Sequence, residues 1–251
     1  MAQPRHVAVI MDGNGRWAQS RRHNRFWGHI RGAKAAKTII EHAAQSNLEC
    51  LSLFAFSKEN WARPAQEVNL LMKLLVKQLY KETKTLMQNN IRFYCIGEKE
   101  ILPQEVQVAV NKTEMATRAN TGMKLIFAIS YSGHTDIINA TKKVAEKVKA
   151  GELQPQDIND EVIASHLMTA AFPDPDLIIR TSGEERVSNF YLWQAAYSEF
   201  CFINTLWPDF TANDFDQALE KFGKKERRFG QTSEQIVKTI QTDKHRIVLN
   251  H

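Results

Sequence analysis

Apolar residues come in short blocks along this chain, separated by segments in which they recur at helical spacing. Residues 7–11 form an almost unbroken apolar run, and comparable runs recur at 48–56, 91–96, 124–131, 176–180 and 200–203. Short continuous runs of this kind predict strands buried on both faces, as in a parallel sheet. Between them, sets such as Ala33, Ala36, Ile40 and Ala43, or Val68, Leu71, Leu75 and Leu79, return every three or four residues. That spacing predicts amphipathic helices. The predicted helices cover residues 32–44, 64–88, 103–119, 135–150, 161–168 and 214–222, with a further one at 233–242. A short helix is also predicted to begin near Trp17. The aromatic stretch 190–197 reads as buried.

Strand and helix alternate over the whole length, with no internal repeat, low-complexity linker or break in composition. The pattern argues for a single α/β domain spanning residues 1–251, with its core at about 5–230 and a C-terminal helix and tail at 231–251. Its predicted architecture is a central, mostly parallel six-stranded sheet flanked by helices. The long helix carrying Leu71, Leu74 and Leu75 lies over the second strand near the small Ala55, which makes it the candidate wall of an apolar tunnel between sheet and helices.

In such sheets ligands bind beyond the carboxyl ends of the strands, so the residues that follow each run carry the chemistry. The first run ends in Asp12, Gly13, Asn14, Gly15 and Arg16. The glycines allow backbone N–H groups to approach a bound group closely, and a helix start adds its dipole. A carboxylate beside an anion site repels the anion unless a cation lies between them, so Asp12 points to Mg²⁺. Arg25 and His29 fall in the loop that follows. The second run leads into Ser57, Lys58, Glu59, Asn60, Trp61 and Arg63, and the fifth into Arg180, Arg186 and Ser188. Glu199 stands just before the sixth. Several arginines facing one edge repel each other without an anionic ligand, and their forks match phosphate oxygens. Taken singly, each of these residues has a plain structural alternative: a surface ion pair for the arginines, a hydrogen-bonded structural role for His29, packing for Trp61, and a lone surface acid for Glu199.

The chain has 251 residues, 43% of them hydrophobic and 24% charged, with a net charge of +5. Those values suit a soluble globular protein. No run approaches a membrane span, and the start does not read as a signal peptide, so a cytoplasmic location is expected. Cys50, Cys95 and Cys201 each lie in an apolar run without metal-ligand spacing and read as buried free thiols. The basic residues carry no zinc-finger, RNP or helix-turn-helix pattern, which weighs against nucleic acid. The common nucleotide fingerprints, zinc-protease and hydrolase motifs, and Asp-Asp-x-x-Asp are absent.

Several separated motifs together resemble the cis-prenyltransferases, whose bacterial member is undecaprenyl diphosphate synthase. They are Met11-Asp12-Gly13-Asn14-Gly15-Arg16-Trp17, Arg25 with Gly28-His29, Phe56-Ser57 with Glu59-Asn60-Trp61 and Arg63-Pro64, Asp176 through Arg180-Thr181 with Gly183-Glu184, Arg186-Val187-Ser188-Asn189-Phe190 through Gln194, Tyr197 with Glu199, and Arg227-Arg228-Phe229-Gly230. The resemblance covers about residues 5–230. It implies Mg²⁺-dependent condensation of farnesyl diphosphate with successive isopentenyl diphosphates, making cis double bonds and, in bacteria, the undecaprenyl precursor of the cell-wall sugar carrier. It also implies a homodimer and, since the product is membrane-soluble, transient contact with the bilayer surface.

By the same resemblance Asp12 is the metal aspartate and Glu199 a second metal ligand. Gly13, Asn14, Gly15 and Arg16 form the allylic diphosphate turn, joined by Trp17, Arg25 and His29. Ser57, Lys58 and Glu59 fall on a mobile loop, Asn60 on a residue assigned as proton acceptor, and Trp61 and Arg63 on neighbouring substrate contacts. Arg180, Arg186, Val187 and Ser188 match the isopentenyl diphosphate site, and Arg228 and Gly230 a C-terminal element that reaches the partner subunit. Ser182 stands where many members have Gly, and Glu185 where His is frequent. An amide is a poor base, so the proton has diphosphate oxygen or water as alternative acceptors. Three other readings of the chain stay open: a catalytically silent partner subunit, a nucleic-acid-binding module, and a different Mg²⁺-dependent phosphate enzyme.

Overall fold

The computed structural model of the chain describes residues 3–227 and residue 232. The predicted helix at 233–242, with Arg228 and Gly230, lies outside the described residues. Six strands form one sheet: β1 (His6–Ile10), β2 (Cys50–Ser57), β3 (Arg92–Ile96), β4 (Lys124–Tyr131), β5 (Leu177–Arg180) and β6 (Glu199–Phe202). Their order is β3-β4-β2-β1-β5-β6, and every pairing is parallel, so the sheet is parallel throughout. Around it lie α1 (Asn14–Ser20), α2 (Arg25–Ala44), α3 (Ala65–Gln88), α4 (Gln104–Thr117), α5 (Gly133–Lys149), α6 (Asp160–Ala164) and α7 (Ala212–Gly223).

The apolar runs work as their composition requires. Successive strand side chains point to opposite faces. Val7, Val9, Leu51, Leu53, Leu125 and Ile179 enter the core on one face, while Ala8, Ile10, Cys50, Ile126 and Ile178 enter the core on the other. The chain leaves β1 to one side for β2 and returns to its other side for β5. Such a reversal opens a crevice at the carboxyl ends of the central strands.

Two helix boundaries differ from the sequence reading. Helix α2 begins at Arg25, seven residues before the apolar spacing starts, because the Asn24 side chain caps it by accepting from the Phe26 N–H at 3.1 Å. Its first two turns present glycine rather than apolar residues to the fold. A Cβ at Gly28 would stand 1.9 Å from the Asn14 carbonyl oxygen. Arg25 and His29 are therefore on a helix and not in a loop. The predicted helix at 161–168 contracts to α6, capped by the Asn159 side chain. The stretch 190–197 holds Phe190 and Tyr191 fully buried and stacked at 4.1 Å. All three cysteines are buried and free, and burial pushes the Cys50 and Cys95 thiols up to about 12.

His6 opens β1 inside a buried polar chain. Its ring nitrogens lie 2.6 Å from the Pro173 carbonyl and 2.7 Å from Ser52 Oγ, which in turn lies 2.8 Å from the Tyr191 hydroxyl. Burial holds its pKa down to about 4 against an ordinary 6.5, outweighing the Pro173 carbonyl and Asp176. The unfolded chain then binds more protons than the native one between those values, so stability is complete above pH 6.5 and falls as pH drops toward 4. The His6 contribution to that loss is about 3 kcal/mol. Urea unfolding at stepped pH is expected to show the decline in the wild type and a flatter profile in His6→Asn.

Candidate active site

The crevice holds one buried cation at its centre. Arg180, the last residue of β5, is only 3% exposed. Its Nη2 donates to Asp12 Oδ2 at 2.7 Å, and its Nη1 donates to Ser188 Oγ at 2.7 Å and to the Arg186 carbonyl oxygen. Asp12 follows β1 on the neighbouring strand. Its Oδ1 accepts the Gly13 N–H at 2.7 Å. Thr181 locks the Asp12 backbone from both sides, accepting from its N–H at 3.0 Å and donating to its carbonyl at 2.7 Å. The Asp12 side chain is one-third exposed and committed to Arg180. Burial opposes its ionisation, but Arg180, the Gly13 N–H and Arg16 together hold the carboxyl below its ordinary range.

The turn after Asp12 is built for close approach. Gly13 has φ +105°, a left-handed conformation, and caps α1. The first N–H groups of α1 have no partners within the helix, as at every helix start. Arg16 reaches back across this turn, donating to the Ser182 hydroxyl and lying 3.1 Å from Glu184 Oε1, while Glu184 Oε2 pairs with Arg186. Ser182 holds φ +78°, a left-handed conformation that favours Gly at this position.

A second group gathers on α2 and α3. Glu67 accepts from Arg63 Nη1 at 3.2 Å and lies 3.9 Å from Arg25 Nε and 4.0 Å from His29 Nε2. Burial, with Arg63 and Arg25 nearby, keeps His29 neutral, its pKa pushed down to about 4 against the pull of Glu67. The segment after β2 is a 3-10 turn, Lys58–Ala62, tied down at every polar residue. Asn60 Oδ1 accepts the Ser57 N–H at 3.3 Å, Trp61 Nε1 donates to Ser130 Oγ at 2.9 Å, Lys58 pairs with Glu98 at 2.9 Å, and Glu59 accepts from Asn189 Nδ2 at 2.6 Å.

Below this mouth lies a chamber of about 460 Å³. Asp12, Asn14, His29, Ser57, Asn60, Arg63, Arg180, Arg186 and Ser188 line its polar end. Its walls are Ala36, Ile40 and Ala55 opposite Leu71, Leu74 and Leu75, and it runs down to Leu86, Phe93 and Leu125. The predicted apolar tunnel is thus present, with the α3 leucines and Ala55 where the sequence set them. Three buried polar atoms at the mouth have no hydrogen-bond partner among the described residues: Asn14 Oδ1, His29 Nε2 and Arg180 Nε. Buried polar atoms of this kind call for a ligand or water.

Not every candidate joins the mouth. Trp17 is buried, donating from Nε1 to Asp209 at 2.7 Å beneath the Arg21 guanidinium. Lys58, Glu59 and Trp61 brace the turn through the contacts above, and Val187 stands beside the mouth between Arg186 and Ser188. Glu199 is corrected: β6 runs parallel to β5 with Glu199 opposite Leu177 and Phe202 opposite Arg180, which puts Glu199 at the far end of the sheet from Asp12 within one chain. Its place just before a strand had to be an amino end, so the parallel register excludes it from the carboxyl edge. Sequence reading missed Thr181 and Glu67. The signal for Glu67 was its i, i+4 spacing from Arg63.

As a metal site, the described residues offer no cluster of three His, Cys, Asp or Glu. Asp12 alone fits an ion such as Mg²⁺, which is ordinarily held by one or two carboxylates together with substrate phosphates and water.

A parallel α/β fold with guanidiniums and a helix start at the mouth of a long apolar chamber suits substrates with a charged head and a hydrocarbon tail, the requirement of a prenyltransferase. The prenyltransferase family model described as undecaprenyl diphosphate synthase matches residues 10–230. An isoprenyl transferase of Chlorobaculum tepidum is 50% identical over 233 residues, covering 93% of this chain and 88% of that one. The ditrans,polycis-undecaprenyl-diphosphate synthase ((2E,6E)-farnesyl-diphosphate specific) of Coxiella burnetii is 48% identical over 235 residues, 94% of this chain and 99% of that one. The crystal structure of lavandulyl diphosphate synthase from Lavandula x intermedia, in complex with dimethylallyl diphosphate, superposes with a TM-score of 0.90 at 41% identity, covering 91% of this chain and 99% of that one. The chain belongs to the undecaprenyl diphosphate synthase family of prenyltransferases.

Ser182 allows the turn's strain and its hydrogen bond to be separated. Both Ser182→Gly and Ser182→Ala lose the Arg16 contact, but only Gly relieves the left-handed backbone, so Ser182→Gly is expected to be the more stable of the two by about 1 kcal/mol. Ser182→Ala is expected to be less stable than the wild type. Denaturant titration of the three proteins checks this order.

Proposed function

We propose that this enzyme extends farnesyl diphosphate by successive condensations with isopentenyl diphosphate, each forming a cis double bond, to give undecaprenyl diphosphate for the cell-wall sugar carrier. The observation that carries the reading is the junction at the mouth, where a carboxylate and several guanidiniums give way within one continuous cavity to an apolar chamber.

The allylic diphosphate is assigned to the Gly13–Arg16 turn with Arg25 and His29, and the isopentenyl diphosphate to Arg180, Arg186 and Ser188. In each condensation the allylic C1–O bond breaks and diphosphate leaves. The isopentenyl double bond forms the new C–C bond, and a proton is lost from the isopentenyl C2. Charge builds on the leaving diphosphate as its bond breaks, and donors already fixed in place stabilise it without reorganising. Mg²⁺, held by Asp12 and the diphosphate, would supply further neutralisation. Arg180 serves this by keeping Asp12 ionised and by holding it in position. A neutral His29 is a hydrogen-bond partner rather than another cation in an already positive mouth. Asn60 spends its acceptor oxygen on Ser57, so the departing proton is assigned to diphosphate oxygen or water, with the Asn60 amide in an orienting role. The chamber walls exclude water from the tail.

We infer a homodimer through the β6 edge, where Phe200 and Phe202 are exposed on the edge strand of the sheet. No described helix is long and apolar enough to cross a membrane.

The test is purified enzyme with Mg²⁺, farnesyl diphosphate and labelled isopentenyl diphosphate, with product length read by chromatography. Long-chain labelled product is expected, falling by about 10²–10³ in Asp12→Ala. That variant also leaves the Arg180 guanidinium unpaired, at a cost on the order of 2 kcal/mol of stability, less than for a fully buried pair because Asp12 is partly exposed. Incorporation by Asp12→Ala equal to wild type would refute the assignment.

A further inference from the structure

Helix α3 has two unlike faces. Its inner face supplies Leu71, Leu74, Leu75, Leu79 and Leu86 to the chamber. On the outer face, Lys73, Lys77, Lys81 and Lys84 alternate with Leu70, Tyr80 and Met87, all exposed. At 3.6 residues per turn these seven positions fall within about 120° of the helix circumference, along about 26 Å of its length. The three apolar side chains are 41%, 47% and 44% exposed. Lys112 of the adjacent α4 adds a further cation, its Nζ 5.7 Å from the Tyr80 ring centroid.

No acid shares this arc. The acids of α3 are Glu67, turned to Arg63, and Glu82, held by Lys37 at 2.7 Å on the chamber side and reached from the stripe by Lys81 at 3.9 Å. Among the described residues, Lys73, Lys77 and Lys84 have no carboxylate within 4 Å, whereas Lys37, Lys58, Lys99 and Lys124 are all paired. Lysines three and four residues apart on one face repel each other. A solvated face gains nothing from that arrangement or from the aromatic and aliphatic side chains set among the charges. An interfacial helix does, since its lysines meet anionic headgroups while its apolar residues enter the headgroup boundary.

We propose that the outer face of α3 docks this enzyme on an anionic phospholipid bilayer, laying the chamber wall against the membrane that receives the product. The proposal rests on the reading that the product is a polyprenyl lipid. The face is on the half of the molecule where α3 packs against α2, α4 and β3, at the opposite side of the sheet from the β6 edge.

Co-sedimentation of the full chain with phosphatidylglycerol-containing vesicles, against vesicles of phosphatidylcholine alone, tests it. The wild type is expected to bind the anionic vesicles selectively and to release as salt is raised. Substituting Lys73→Gln, Lys77→Gln, Lys81→Gln and Lys84→Gln together is expected to weaken binding at least tenfold, each lysine near an anionic surface being worth a factor of about five. A control with Lys142→Gln, Lys143→Gln, Lys147→Gln and Lys149→Gln on α5 changes the net charge equally and is expected to retain binding. Tyr80→Ser, which leaves charge untouched, is expected to weaken binding measurably. Equal binding by the α3 variant and wild type, equal losses in the α3 and α5 variants, or binding of RNA but not of anionic vesicles would each overturn the proposal. Chain elongation in detergent is read separately. Its retention in the α3 variant shows an intact fold and chamber, and its absence in the wild type counts against the proposed reaction and not against vesicle binding.

Discussion

A guanidinium buried at the end of a strand is costly unless every direction around it is satisfied, and the mouth of this enzyme is arranged around that requirement. Arg180 is nearly inaccessible, and the three groups that meet it come from two places: Asp12 beyond β1, and the Arg186 carbonyl and Ser188 hydroxyl from the loop after β5. The pair joins two adjacent strand ends and sets where the Gly13 turn and the 182–188 loop can lie. It also keeps a carboxylate ionised in a half-buried setting that would otherwise favour the protonated form. Arg180 Nε, Asn14 Oδ1 and His29 Nε2, buried with no hydrogen-bond partner among the described residues, cluster on the mouth side of this arrangement.

The fold divides its labour by distance from that pair. The strand ends carry charge, the space between sheet and α3 carries hydrocarbon, and the outside of α3 carries lysine. One amphipathic helix thus separates the tail chamber from the surface assigned to the membrane, so the same packing that buries Leu71, Leu75 and Leu79 orients the lysine stripe outward. The braced 3-10 turn after β2 closes the mouth from the side, with Asn60, Trp61 and Glu59 each tied to a different neighbour.

Much of this was legible in the residues. Continuous apolar runs of four to eight residues have few folds open to them, and a parallel sheet with chemistry beyond its strand ends followed directly. Asp12 directly follows such a run, Arg180 ends one, and Arg186 and Ser188 lie in the loop beyond it, so strand-end reasoning brought all four to the mouth. What escaped depended on partners distant in sequence. The first turns of α2 were unreadable because Gly28 and Gly32 pack against Asn14 by close backbone approach, which leaves no apolar period. Glu199 was misplaced because proximity to a strand does not say which end of the sheet it occupies; only the register with Leu177 does. Glu67 looked like an ordinary helix charge until Arg25, His29 and Arg63 converged on it, and nothing local announced that Ser182 would hold a left-handed backbone.

In the proposed reaction Arg180 keeps Asp12 ionised so that it can share a cation with a diphosphate. Calorimetric binding of a non-reactive thiodiphosphate analogue of farnesyl diphosphate, with and without Mg²⁺, separates this role of Asp12 from a purely structural one. Mg²⁺ is expected to tighten binding in the wild type and to have no such effect in Asp12→Asn, whose metal-independent binding through the Gly13 turn and the arginines persists. An equal Mg²⁺ effect in the two proteins would rule that role out.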